Sequence, residues 1–214
     1  MMSEELMREK AVIKELIEKW YICRDYFLWD EFRTTWHEGG VMVATWNESS
    51  YERFIERCDE RRKKPGGFNG MHYLAGSIID VNGNRARAMN KLIITERRTV
   101  DGILCDMFNY ARHFDFWEKR DGRWGLVRRE TICDKDTLIP VYDTDRGKVQ
   151  LNEELLKKYP EEYQYLAYFI VEKGDSVGTD VPRYSGEGVP GSSVEKLYEK
   201  GRAWLSGELS NPNL

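Results

Sequence analysis

The chain has 214 residues, 41% of them hydrophobic and 33% charged, with a net charge of −4. That balance suits one folded domain with an appendage and excludes a disordered polypeptide; no apolar run approaches the ~18 residues of a spanning helix. The negative charge gives no overall attraction to nucleic acid, and mixed runs such as Glu60-Arg61-Arg62-Lys63-Lys64 read as solvated helix faces. The acidic start, Met1 to Glu9, does not read as a signal peptide. Four scattered cysteines (Cys23, Cys58, Cys105, Cys133) without a C-x-x-C pair read as buried thiols in a reducing compartment, so a cytoplasmic protein is expected.

From Leu6 to Leu28, apolar residues recur at helical spacing through Ile13, Leu16, Ile17, Trp20 and Tyr21. Asp25 lies four residues after Tyr21 and eight after Ile17, on the buried stripe, where a carboxylate costs several kcal/mol unless it has a partner. A second helix follows with Asp30 as N-cap, Gly39-Gly40 as its end and His37 as a surface residue near its last turn. Val41 to Trp46 reads as a strand, and Tyr51 to Lys64 as a helix with Tyr51, Phe54, Ile55 and Cys58 on one face, stopped by Pro65-Gly66-Gly67.

Four β-rich runs come next: Met71–Val81, Arg85–Arg97, Ile103–Lys119 and Trp124–Cys133. Asn82-Gly83, Asp101-Gly102 and Asp121-Gly122 join them, each supplying the positive φ of a tight hairpin turn. The runs predict a curved antiparallel meander covered on one face by the N-terminal helices, an α+β fold. Residues 134–150 read as polar and irregular. Asn152 caps a short helix, and Pro160 opens another that carries Tyr163, Leu166, Ala167 and Ile170 and ends at Gly174. Residues 175–192 read as a loop, and Ser192-x-x-Glu195 opens a last helix with Leu197, Gly201, Trp204 and Leu205 on one side. The organisation expected is a domain over residues 1–134 and an extension over 135–214. The two amphipathic helices of that extension must pack on the body or on a neighbouring subunit.

Three segments carry a resemblance: the helix with its inward Asp25, the run Gly70-Met71-His72-Tyr73-Leu74, and Arg120-Asp121-Gly122-Arg123-Trp124 followed by Arg128-Arg129. Over roughly residues 5–134 the chain resembles the SnoaL-like branch of the nuclear transport factor 2-like superfamily, which includes scytalone dehydratase and hexachlorocyclohexane dehydrochlorinase. The resemblance implies a cone-shaped sheet with a deep pocket and a cofactor-independent, metal-free lyase or isomerase. Its Asp–His pair removes a proton during an elimination, and the aromatics Trp29, Trp46, Phe54, Tyr73, Phe108 and Tyr110, where they line the cavity, point to a small hydrophobic ring compound. Asp25 and His72 match the pair, and Arg129 matches an arginine near the leaving group. Trp20, Arg24, Ala111 and His113 depart from the family's substrate-reading residues.

The expected site therefore has Asp25, His72 and Arg129 as catalytic residues, with His113, Trp46, Tyr73, Asn109 and Tyr110 contacting substrate. His72 shares a strand face with Leu74, Gly76 and Ile78, and Arg129 shares one with Val127 and Thr131. Arg129 is open to two readings, an oxyanion holder or an ion pair with a neighbouring strand. Asp25, His72 and His113 could form a two-His, one-carboxylate metal set on paper, but the resemblance argues for no metal and no cofactor. A non-catalytic binding protein, or an assembly subunit like the β subunit of ring-hydroxylating dioxygenases, is the alternative. Association as a homodimer or homotrimer is expected, without nucleic acid or membrane partners.

Overall fold

The computed structural model describes residues 3–64 and 70–213; Pro65-Gly66-Gly67, read as a helix stop, lies outside them. The elements run α1 (Glu4–Asp25), α2 (Trp29–Arg33), β1 (Trp36–Ala44), β2 (Asn47–Ser50), α3 (Tyr51–Lys63) and β3 (Gly70–Asn82). They continue with β4 (Arg85–Val100), β5 (Ile103–Arg120), β6 (Arg123–Pro140), α4 (Glu153–Leu156), α5 (Gln164–Glu172) and α6 (Ser193–Ser206). The strands form one curved sheet in the order β2-β1-β6-β5-β4-β3. Neighbours are antiparallel except β1 and β6, which run parallel. The expected α+β class, with N-terminal helices on the sheet and C-terminal helices following it, is the class observed.

Local chemistry explains the frame. The Ser3 side chain accepts a hydrogen bond from the Leu6 N–H, with Glu4 and Glu5 in the first turn, and so starts α1. Ile13, Ile17, Trp20 and Tyr21 then bury one stripe of α1 on the sheet's inner face, each worth about 1.5–3 kcal/mol. The helix stops at Asp25, three residues sooner than its pattern suggests, because Phe27 turns left-handed at φ 58°. Asp101 and Asp121 (φ 49° and 50°) make the hairpin turns with the glycines after them. The first turn is centred one residue later than expected, at Gly83, where φ is 58°.

Several boundaries differ from the sequence reading. Asp30 sits in the first turn of α2 rather than capping it, and α2 ends at Arg33. Gly39-Gly40 is a bulge inside β1, not a helix stop: Gly39 has φ 77°, and a Cβ on Gly40 would lie 2.7 Å from the Trp36 ring. His37 is accordingly buried in a strand. Its Nδ1 accepts from Arg123 at 2.8 Å, so its Nε2 is the nitrogen that donates to the Glu118 carbonyl at 3.0 Å. β2 had no signal in the sequence. β6 runs on to Pro140, into the first part of the stretch read as irregular, and α5 begins at Gln164 rather than Pro160.

Bulges also decide which side chains face inward. The β3–β4 register shifts between Leu74 and Gly76, so Ile79 packs in the inner core while Ile78 is 71% exposed. β6 gains a residue where Phe116 pairs with Arg128 but Trp117 pairs with Leu126. Val127 therefore joins the outer cluster with Phe116, and Arg129 points inward with Leu126 and Trp124.

The C-terminal segment packs on the same chain. Val194, Leu197 and Trp204 of α6 cover Phe114, Phe116, Val127 and Ile132 on the sheet's outer face. Gly201 is required there, because a Cβ would sit 2.5 Å from the Phe114 ring. Arg112 clasps the segment: it donates to Asp134 at 2.7 Å, and to both Glu187 and the Tyr198 hydroxyl at 2.6 Å. α5 packs at the other end of the sheet, with Tyr168 and Phe169 against Val100, Cys105 and Met107.

Candidate active site

Asp25 closes α1 directly above the start of β3. One of its carboxylate oxygens accepts from the His72 backbone N–H at 2.6 Å, and the other meets the ring Nδ1 at 2.6 Å. A carboxylate only accepts, so this contact places the ring proton on Nδ1 and the lone pair on Nε2. Both side chains are 8% exposed. Burial pulls the His72 pKa below its ordinary 6.5 against the opposing pull of Asp25, which keeps the ring neutral near pH 7.

His72 borders a cavity between α1, α3 and the sheet, with a volume of about 80 Å³ open to the centre of a water-sized sphere. Its apolar walls come from Phe27, Met42, Phe54, Ile94, Met107 and Leu166, and the last of these belongs to α5. The C-terminal segment is thus part of the wall. Trp20 stands edge-on to both His72 and His113, with ring centroids 6.2 and 5.6 Å away. His113 stacks on Tyr21 at 5.6 Å and meets its hydroxyl through Nδ1 at 3.0 Å. Burial, joined by the charge of Arg129, holds the His113 pKa well below 6.5. Burial also pushes the Tyr21 phenol up, against the opposing pull of Arg129.

Of the expected site residues, His72, His113, Asn109 and Trp46 line this cavity. Arg129 does not. It is fully buried behind Trp20, where Nε and Nη2 bind the two oxygens of Asp115 at 2.6 and 2.7 Å, so the geometry is that of the ion pair. Tyr73 lies on the opposite face of β3 from His72 and is 55% exposed. Tyr110 also faces outward, under the Lys135 ammonium at 4.7 Å. Strand alternation puts both tyrosines away from the cavity. Among the described residues no three His, Cys, Asp or Glu side chains converge on a metal-sized site. The pairing of His113 with Tyr21 and of His72 with Asp25 explains why the set possible on paper does not assemble.

The sequence reading did not assign Tyr21, Arg61, Glu96, Asp115 or Asn90 to the site, and it named Arg24 only as a departure from the family's substrate-reading residues. Helical spacing could have found two of them: Arg24 follows Trp20 by four residues, and Arg61 follows Cys58 by three. Asp115 and Asn90 form one network beneath the site, the Asn90 amide donating to Asp115 at 2.6 Å. It carries the Arg129 guanidinium 4.2 Å from the Trp20 ring and 5.2 Å from Tyr21.

The model of the SnoaL-like domain matches residues 5–130. The chain belongs to the SnoaL-like family. A PEP2-like protein of Fusarium vanettenii is 35% identical over 213 residues, covering 96% of this chain and 89% of its own. Pea pathogenicity protein 2 of the same fungus is 34% identical at the same coverage. Both matches extend well past the SnoaL-like domain into the C-terminal segment. A solved hexachlorocyclohexane dehydrochlorinase shares the fold with a TM-score of 0.56 at 13% identity, covering 64% of this chain and 92% of its own. Among the described residues no helix is long and apolar enough to cross a membrane.

All three histidines of the chain are held below 6.5 in the fold. A depressed histidine adds stability above its unfolded pKa of 6.5 and loses it as pH falls toward its folded value. Asp136, pushed up to about 7 by burial, works in the opposite sense between 3.8 and 7. Three groups against one predict that Tm falls between pH 7 and pH 5 in a thermal scan. His113→Asn makes that fall shallower.

Proposed function

We propose that the chain is a cofactor-independent lyase or isomerase of the dehydratase type, acting on a small, largely hydrophobic ring compound. The observation that carries this reading is the Asp25–His72 pair, buried at the wall of a mostly apolar cavity. Neutral His72 takes a proton from a substrate carbon onto Nε2. The electrons of that C–H bond form a new carbon–carbon double bond, and the leaving group departs with the electrons of its own bond. In an isomerase the proton returns at another carbon. Asp25 holds the ring in the required tautomer and stabilises the imidazolium as it forms. His113, steadied by Tyr21, orients or protonates the departing group. Arg129 and Asp115 brace Trp20 and Tyr21 from behind.

A panel of hydroxylated and halogenated cyclic compounds, incubated in D₂O and followed by mass spectrometry, tests the proposal. Loss of water or halide, or deuterium uptake at carbon, is expected with the wild type and absent with His72→Ala. Recovery of a bound ligand chemically unchanged, or turnover indifferent to His72, identifies a binding protein instead.

A further inference from the structure

Two helices end their buried stripes with a cation. Arg61 on α3 continues the face of Phe54 and Cys58, and Arg24 on α1 continues that of Ile17 and Trp20. Both line the cavity. Arg98 and Lys173 lie close by, so four cations surround this end of the cavity. Glu172 faces Lys173, and two further carboxylates stand at this end. Glu96 is engaged by Arg98, and Asp175 stands 3.8 Å from Arg61 Nη1, an ion pair too long for a hydrogen bond. Asp25 is committed to His72, and Asp59 to Arg62 and the Trp29 N–H.

Arg61 is also aimed. Its guanidinium lies over the Trp46 ring at 4.3 Å, which fixes the plane of the fork. Nη1 is buried and makes no hydrogen bond to the described residues. Burial depresses the Arg61 pKa in spite of Asp175 and Glu96. A charged donor held out of water without a hydrogen bond is unfavourable, and an incoming anion that accepts from it removes that penalty.

We infer that the cavity takes a ring compound bearing a carboxylate, with the carboxylate bound by Arg61 in the field of Arg24 and the ring lying among Phe54, Ile94 and Met107. This names the substrate class for the site proposed above. The cavity volume of about 80 Å³ holds on the order of six water-sized groups, which suits one ring and a short substituent. A planar carboxylate matches the planar guanidinium better than a spherical anion does.

Benzoate and benzamide share a shape and differ in charge, so titration calorimetry of the two at pH 7 tests the inference. Wild type is expected to bind benzoate about 10–100-fold more tightly, as a charge-assisted hydrogen bond predicts. Arg61→Gln should abolish that preference while leaving benzamide binding within about twofold, and Arg53→Gln, on the exposed face of the same helix, should preserve it. If Arg61→Gln also loses benzamide, Arg61→Lys decides: a reduced preference supports the assignment and an unchanged one overturns it. Equal or tighter binding of benzamide to wild type, or no binding of either at millimolar concentration, overturns it as well. The readout needs no turnover. His72→Ala should keep the benzoate preference, so failure of the anion assignment and failure of the base assignment are told apart.

Discussion

Asp25→Asn lowers turnover by about 10²–10⁴-fold, as far as His72→Ala does, with little change in thermal stability. The reason lies in the two bonds that Asp25 accepts. The His72 backbone N–H is fixed and must face an oxygen, so the asparagine carbonyl takes that place. Its amide nitrogen then faces Nδ1, where the carboxylate oxygen had been. An amide N–H donates, so Nδ1 must carry the lone pair and the ring proton moves to Nε2. The nitrogen that should accept the substrate proton is then already protonated. Asparagine is nearly isosteric with aspartate, which is why the loss falls on chemistry rather than folding. Rates measured on any compound the wild type converts check this, and near-normal turnover by either variant contradicts it.

Asp115→Ala has its largest effect on stability. Asp115 and Arg129 are both fully buried, joined by two hydrogen bonds, with Asn90 donating a third to the same carboxylate. Removing the carboxylate leaves a guanidinium without its counter-charge behind Trp20, which costs about 3–5 kcal/mol. In a domain of this size each kcal/mol moves Tm by about 2–4 °C, so a fall of roughly 6–20 °C is expected in calorimetry. Asp115→Leu combined with Arg129→Met removes both charges and should recover most of the loss. A Tm within about 2 °C of wild type for Asp115→Ala would show that the ion pair contributes little.

Much of this molecule was legible in the chain. The turn pairs at Gly83, Asp101-Gly102 and Asp121-Gly122 specify positive φ, and that chemistry is local, so the meander could be read directly. The stripe of α1 put Asp25 on the inward side, and the resemblance supplied its partner. What escaped detection was set by bulges. An extra residue at Val127 reverses the alternation of β6, so Arg129 shares its face with Leu126 instead of Val127. The shift after Leu74 turns Ile78 out in the same way. Nothing in the local sequence announces either shift, because a bulge is selected by packing across strands. Gly39-Gly40 misled for a related reason: glycine pairs end helices and also build bulges, and the parallel pairing of β1 with β6 chose the second. Asp115 went unnoticed because its partner is fourteen residues away on the next strand. Arg61 was masked by a charge-rich stretch, Glu60 to Lys64, that reads as solvated surface.

The central claim is that His72 stands ready as a neutral base, with its proton on Nδ1 and its lone pair on Nε2. Nitrogen-15 chemical shifts of the His72 ring, followed from pH 8 to pH 5 in the full-length protein, measure this directly. The account predicts a protonated Nδ1 and an unprotonated Nε2 at pH 7, with the imidazolium forming only below pH 6.5. A proton on Nε2 of the neutral ring, or an imidazolium already present at pH 7, would contradict it.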